Sequence, residues 1–456
     1  MSLGRVLMSR TFVFLVIALA GAVGSLAAPL WRGDATVPRG LPPSQRLTDA
    51  YLTLLCRAPS NAETLRWDIK PFTVSELETS VRATAEGVRV RAVRRLYLDV
   101  LLRDPFDGDC EELRQWIDRQ TPVFAIARRL AASREARRVG EVRDLLSRVR
   151  RREIGGWDNA SVRRWAQTGL TPSEISARLA NMRPLVGVYY FAWYRQDSGG
   201  WGNGATTVPG DTPRPTLGWY TSSDETVMDA HIGQLVTAGF DFVILQVIAE
   251  SPESWATAHR FMGRLAGTRL KAVVMLDGLY TTPISGSAAA VERAKTEFGG
   301  NPHYFWSDGR PLFLLFSGRL DFPVPGVTVR NVYWADQYGP GANTFNSDRL
   351  LLPHDWPFWT PTPPPMINGI VPVVPGYSDT HLGREEAMEH PRRDGQMYHA
   401  QWQAALALRP EFVIVYSWNE HFERTAIEPT EAWGESYLQW TACYVALAHA
   451  GREGSC

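Results

Sequence analysis

Two regimes of hydrophobic patterning divide the chain. From about Leu47 to Met182, apolar residues recur at three- and four-residue spacing among arginines, which predicts amphipathic helices and few strands. From Arg183 onward, short β-branched and aromatic runs alternate with helical stretches. The runs Leu185–Tyr194, Phe240–Ile248, Leu270–Asp277, Pro311–Phe316, Asn331–Trp334, Gly369–Val374 and Phe412–Trp418 read as strands. Glu225–Ala238, Trp255–Leu265, Ala288–Phe298, Gln396–Leu408 and Glu435–His449 read as helices. Strand–helix alternation across residues 183–456 predicts an α/β fold, a parallel sheet closed into a (β/α)8 TIM-type barrel. The eighth strand is expected in the proline-rich stretch 349–368. An open doubly wound sheet is the alternative, but no glycine-rich phosphate loop opens the first helix.

The helical region, residues 47–182, contains an internal repeat. Tyr51-Leu-Thr-Leu-Leu-Cys-Arg-Ala-Pro59 leads to Leu65-Arg66-Trp67, and Tyr97-Leu-Asp-Val-Leu-Leu-Arg-Asp-Pro105 leads to Leu113-Arg114-Gln115-Trp116. Amphipathic segments follow each, at 74–88 and 123–138, and the period is 46 residues. Such a helix–loop–helix unit cannot bury its apolar face alone, so an all-α domain in which the two copies share one core is expected. The pattern resembles a bacterial helical domain of uncharacterised function that is repeated in exported surface proteins. That resemblance implies attachment to a cell surface, or scaffolding, rather than chemistry. The cluster Arg148 to Arg152 reads as a solvated helix face.

Ahead of the repeats, Arg5 and Arg10 precede an uncharged apolar run from Thr11 to Leu30, with small residues at Ser25 and Ala27. This layout is expected of a secretory signal over 1–27, with an uncleaved membrane anchor as the alternative and a Pro/Gly-rich linker over 28–46. Both readings place the rest of the chain outside the cytoplasm. Formal net charge is zero, which gives no electrostatic reason to expect a nucleic-acid partner. The chain has 17 tryptophans, residues that either fill cores or stack on sugar rings. Cys56, Cys110, Cys443 and Cys456 fit no zinc spacing, and of the three connectivities the local one, Cys56–Cys110 with Cys443–Cys456, is favoured in an oxidising compartment.

In a β/α-barrel the chemistry gathers at the C-terminal strand ends. Polar and aromatic residues collect there: Tyr190, Trp193 and Tyr194; Gln246; Asp277; Tyr333, Trp334, Asp336 and Gln337; Tyr377 and Asp379; and Trp418-Asn419-Glu420-His421-Phe422-Glu423. Glu420 and Glu423 are three apart, directly after the last apolar run, so a helical turn would project both carboxyls to one side. Glycosidic cleavage commonly needs such a pair, one held protonated by an apolar wall or by its neighbour's charge. Trp418 and Phe422 are candidates for that wall, and Glu428 is a third carboxylate nearby.

The segment Ser417-Trp-Asn-Glu-His-Phe-Glu-Arg-Thr-Ala-Ile-Glu-Pro429, followed by Trp433-Gly434 and Tyr437-Leu438, resembles the signature of glycoside hydrolase family 99, the endo-acting α-mannosidases and α-mannanases. The strand Val188–Tyr194, the segment Tyr220–Asp224 with Val227 and His231, and Pro375–Asp379 agree with it in order. The resemblance implies that Glu423 is the general acid/base. It implies that Glu420 assists the sugar's own 2-hydroxyl in attacking the anomeric carbon, giving net retention without metal or cofactor. It further implies that Tyr190, Trp193, Tyr194, Asp224, His231 and Tyr377 line the sugar subsites, and Gln246, Asp277, Trp418, Asn419 and Glu428 join them as candidates from their positions. His421 and Phe422 stand where the family has Trp and His, Arg424 where it has Gly, and Ala192 where Pro is usual. The expected partner is a polysaccharide or glycan.

Overall fold

The computed structural model describes residues 43–456, apart from 69–73, 104, 106–109, 151–152, 155–157, 198–199, 204–205, 280–283, 308, 317–323, 325, 333–365, 367–368 and 385–386. Its N-terminal portion is helical: α1 Pro43–Leu55, α2 Asn61–Asp68, α3 Val74–Ala83, α4 Ala85–Val100, α5 Glu111–Asp118, α6 Val123–Ala131, α7 Arg134–Arg150, α8 Asn159–Gln167 and α9 Pro172–Ala180. Among the described residues no helix is long and apolar enough to cross a membrane; the run Thr11–Leu30 lies outside them.

Both copies of the repeat contribute to one buried cluster, which holds Tyr51, Leu55, Leu77 and Val81 with Tyr97, Leu101, Leu113, Ile126 and Leu130. The copies match in detail. Arg57 lies 5.4 Å from the Tyr51 ring centroid and Arg103 lies 5.1 Å from that of Tyr97. Arg57 pairs with Glu63 and Glu86, and Arg103 with Glu112 and Glu135. Each arginine thus stacks on its tyrosine and ties its own loop to the following helix. A disulfide joins Cys56 to Cys110 and another joins Cys443 to Cys456, the local pairing expected from sequence. The expected solvated face fails at Arg150. Its side chain is 2 % exposed and donates to Glu411, 2.8 Å away. A buried carboxylate elsewhere in the chain draws it inward, and a local charge pattern cannot show that.

Seven parallel strands follow: β1 Leu185–Tyr190, β2 Phe242–Ile248, β3 Lys271–Asp277, β4 Arg310–Leu315, β5 Thr328–Asn331, β6 Ile370–Val373 and β7 Phe412–Val415. Their lateral order is β5-β4-β3-β2-β1-β7-β6. The last strand pairs with the first, Leu185 against Phe412 and Val188 against Val415. Among the described residues this is a curled, barrel-like sheet, open between β5 and β6, where residues 333–365 lie outside the description. The stretch 349–368 expected to carry the eighth strand lies almost wholly there, as do Tyr333, Trp334, Asp336 and Gln337. The fifth strand itself ends at Asn331, where the expected run begins.

Alternation along the strands sorts their residues into two cores. Val186, Val188, Val243, Leu245, Val274, Leu276, Phe313, Val413 and Val415 pack outward against α10 Glu225–Ala238, α11 Pro252–Arg264, α12 Ile284–Phe298, α13 Gln396–Ala407 and α14 Ser436–His449. Tyr189, Phe242, Ile244, Val273, Met275, Leu312, Leu314, Phe412 and Ile414 form the second core, inside the curve of the sheet. Period-two side-chain alternation requires this division. Gly187 belongs to the inner set, and a Cβ there would meet the Phe242 ring at 2.4 Å, so the phenylalanine fills the space a side chain would take. The helices begin at recognisable caps: the Asp224 side chain accepts from Thr226 N at 2.8 Å, and Ser251 caps α11 ahead of Pro252.

Candidate active site

The segment after β7 folds into a tight loop at the C-terminal end of the sheet. Ser417 Oγ accepts from Glu420 N at 2.7 Å, Thr425 N donates to Glu420 O at 3.0 Å, and Ser417 N donates to Thr425 O at 3.0 Å. Residues 421–424 form the turn, and Arg424 takes a left-handed φ of 54°. The turn leaves the two glutamates within electrostatic reach of each other. The Glu423 charge acts on Glu420, and the phenol of Tyr416 feels both.

Glu423 is surrounded by donors. Arg384 Nη2 lies 2.8 Å and Tyr377 Oη 3.5 Å from its Oε1, and Tyr416 Oη lies 3.0 Å from its Oε2. Burial, then the Glu423 charge, raises both phenols, so they keep their protons; Tyr416 donates its proton to Glu423, while Tyr377 gives its own to Asp379. Arg384 arrives on a short hairpin arm in which Tyr377–Ser378 pairs antiparallel with Glu389–His390. Asp379 braces that arm, accepting from Arg384 Nη1 at 2.9 Å, Tyr377 Oη at 2.9 Å and Met388 N at 2.6 Å. The arm is fixed to the glutamate loop by Ser378 N donating to Glu423 O at 3.0 Å.

Glu420 sits in a different environment. It is 3 % exposed, and its Oε1 accepts from Phe422 N at 2.8 Å. Among the described residues no cationic side chain is paired with it. Burial, then the charge of Glu423, holds its carboxyl well above the usual carboxylate range. Aromatic rings build the neighbouring wall. Tyr194 stacks on Trp201 at 4.2 Å and on Phe422 at 5.8 Å, and Trp193 meets Phe422 edge-on at 5.9 Å. Phe422 joins this wall as expected, whereas Trp418 is fully buried in the outer core facing the helices.

Behind the loop lies a buried ionic network. Glu428 is 3 % exposed and accepts from Tyr220 Oη at 3.0 Å and from His421 Nε2, with His231 Nε2 3.1 Å from its other oxygen. Burial alone would raise Glu428, but His231 and His421 outweigh it and bring the carboxyl down to about 2. With Glu428 ionised, both imidazoles present Nε2–H to it, and His231 Nδ1 accepts from the Tyr190 hydroxyl at 2.9 Å. Asn419 fixes the loop to the end of β1, accepting from Phe191 N at 2.8 Å and donating to Phe191 O at 2.9 Å.

The residues singled out from sequence thus occupy distinct places. Glu420, Glu423, Tyr377, Trp193 and Tyr194 come together around the loop. Tyr190, His231, Asn419 and Glu428 form the buried support behind it, and His421 N donates to Tyr194 Oη at 2.9 Å to connect the two. Gln246 and Asp277 pair with each other at 2.6 Å at the ends of β2 and β3. Asp224 is exposed and serves as the cap of α10. Arg384 and Tyr416 were not singled out, and Tyr220 and His421 were named only as parts of the matched segments. His421 lies within the quoted motif and Tyr416 directly before it, in the strand run, where parity places it inward with Phe412 and Ile414. Arg384 carries no sequence signal, because only the hairpin fold brings it to Glu423.

No protein-family model matches the chain, and no curated protein does. Solved structures do. The GH99 endo-α-mannosidase from Bacteroides thetaiotaomicron is 15% identical with a TM-score of 0.46, over 59% of this chain and 98% of that one. A structure of the same description in complex with bis-tris-propane gives 17% identity and a TM-score of 0.47, over 59% of this chain and 99% of that one. A glycoside hydrolase-like protein gives 13% and 0.39, over 58% and 95%. At such identities and scores the likeness says nothing of chemistry, which rests on the residues of this chain.

Proposed function

We propose that this protein is an exported glycoside hydrolase that cleaves α-linked, mannose-containing polysaccharide or glycan within the chain and with retention, using Glu420 and Glu423. The observation that carries the reading is the contrast between these two neighbouring carboxyls, one buried beside aromatic rings and the other held by a guanidinium and a phenol. Cleaving a glycosidic bond takes one carboxyl that gives a proton and one carboxylate that supplies negative charge, and environments that separate two such groups mark that division of labour. The half-buried Trp193, beside the buried rings of Tyr194 and Phe422, suits stacking on a sugar ring. Two disulfides support residence in an oxidising compartment. The helical portion is proposed to serve attachment.

The test is product analysis on a panel of α-mannans and bacterial exopolysaccharides, with reducing ends quantified and the anomeric configuration of new ends followed by NMR. Release of oligosaccharides with retained configuration is expected. E420Q and E423Q should each lower the rate by about 10²–10⁴-fold. Tight glycan binding with no new reducing ends would replace the reading with a binding function.

A further inference from the structure

Beside the glutamate loop, a small cleft opens between the segment that leaves β1 and the first turns of α11. Its volume is about 50 Å³, room for about three or four water molecules and too little for a sugar ring. Trp193 lines it and also meets Phe422 edge-on at 5.9 Å, so the indole borders both the cleft and the glutamate loop.

The polar lining is biased toward donors. Ser251 Oγ accepts from Ser254 N at 3.2 Å, Ser254 Oγ from Ile248 N at 2.9 Å and Thr221 Oγ1 from Gln196 N at 3.2 Å. Each of these hydroxyls has a lone pair engaged by a backbone N–H, and none gives its proton to a described residue. Thr257 stands out among them. It is 2 % exposed, it lines the cleft from the second turn of α11, and nothing among the described residues hydrogen-bonds its hydroxyl. Such a buried hydroxyl is costly unless something enters to meet it. The positive end of the α11 dipole points the same way. Ala192 and Ile248 add apolar surface to the lining, and Arg195 pairs with Glu253 at the edge, which leaves no net charge there.

The complement of this cleft is small and uncharged, with an oxygen that accepts several hydrogen bonds and a methyl in place of a proton of its own. The Glu253 carboxylate disfavours an anion, and the unplaced hydroxyl protons disfavour a cation. A hydroxymethyl group would bring one more proton to a lining that already has protons to place. We propose that the cleft is a subsite for an acetyl group carried by the sugar seated at Trp193. The inference rests on the proposed glycosidase function and names the class of glycan it takes, an acetylated one. The acetyl carbonyl accepts from Thr257 and Ser254, and the methyl rests on Ile248 and Ala192. Ester and amide share this chemistry.

Two pairs of probes test the subsite and separate its two sources. One is partially O-acetylated α-mannan against the same mannan after mild alkali. The other is α-linked oligosaccharides of N-acetylmannosamine against those of mannose. Wild type should show a kcat/KM higher by about 10-fold or more on the acetylated member of at least one pair. T257V keeps the shape and removes the hydroxyl, and should reduce that preference by about 2–10-fold. S223F fills the cleft from its lining and should abolish the preference. A purely structural fault would lower both rates of a pair and leave their ratio unchanged. Equal rates within both pairs for wild type, or a preference that both variants retain, overturns the proposal. Isothermal titration with the same probes distinguishes this failure from that of the hydrolase reading. A wild type that cleaves nothing yet binds the acetylated member more tightly, with S223F losing the difference, overturns the hydrolase reading and upholds the subsite. A wild type that binds both members of each pair equally overturns the subsite.

Discussion

At the residue scale, Glu420 has a consequence for stability that is independent of turnover. Its folded carboxyl keeps its proton above the ordinary value of 4.5, because burial and the Glu423 charge disfavour ionisation. Above that value the native state therefore binds more protons at this site than the unfolded chain does. The sign follows: the stabilisation is fully present below about pH 4.5 and is lost as pH rises toward the folded value, by at most about 1.4 kcal/mol per pH unit. E420Q keeps an acceptor for Phe422 N and has no such titration. Its denaturant midpoint should exceed that of wild type at about pH 7 and converge on it at about pH 4. A difference that stays constant across that range would show that Glu420 ionises freely. Arg424 shows what sequence conveys at this scale and what it omits. Its replacement of the resembled family's Gly was read as a departure only, and the left-handed φ of 54° that it adopts was not foreseen. The partner that ties it down, Asp211 at 2.7 Å, is 213 residues away and no local pattern announces it.

At the element scale, the strands were readable as short β-branched and aromatic runs, except the fifth, which ends at Asn331 where its expected run begins. The repeat was readable because two copies of one unit must bury matching residues. What joins the helices to the sheet was not readable. Glu411, just before β7, accepts from Ser161 Oγ at 2.6 Å, Arg150 Nη2 at 2.8 Å and Trp165 Nε1 at 3.3 Å, and pairs with Arg164. Gly369 makes room for it, because a Cβ there would meet Glu411 Oε1 at 2.7 Å. The node lies at the N-terminal ends of the strands, the opposite end of the sheet from the glutamate loop. Burial would raise Glu411, but Arg164 and Arg150 outweigh it and lower its carboxyl, so its contribution is present above about 4.5 and is lost as pH falls below it. Removing one partner of a buried pair leaves the other uncompensated. Glu411→Ala should cost about 3–5 kcal/mol in denaturant unfolding, while kcat at a temperature where the variant is folded stays within about 3-fold of wild type. An equal loss of kcat would mean that this node also shapes the site.

At the scale of the whole molecule, the two disulfides act on parts of unequal self-sufficiency. Cys56–Cys110 spans 54 residues and Cys443–Cys456 spans 13, for which loop-closure entropy gives about 4 and about 3 kcal/mol respectively. The difference in effect should exceed that difference in energy. The first bond clamps the two copies of the repeat around a small core of their own, and small cores depend most on covalent closure. The second lies on α14, whose inner face of Tyr437, Leu438, Tyr444 and Val445 already packs in the outer core of the barrel. Reduction should therefore loosen residues 47–130 and the last few after Ala450, and leave the parallel strands intact. Hydrogen exchange followed by mass spectrometry, with and without reductant, would report this directly. Exchange should rise in the repeat helices and at the C-terminal end but not in β1, β2, β3 or β7. Cys56→Ser should reproduce the first effect and Cys443→Ser the second. Strands that exchange as fast as the repeat helices after reduction would show instead that the molecule unfolds as a single cooperative unit, with the Glu411 node transmitting the loss from one core to the other.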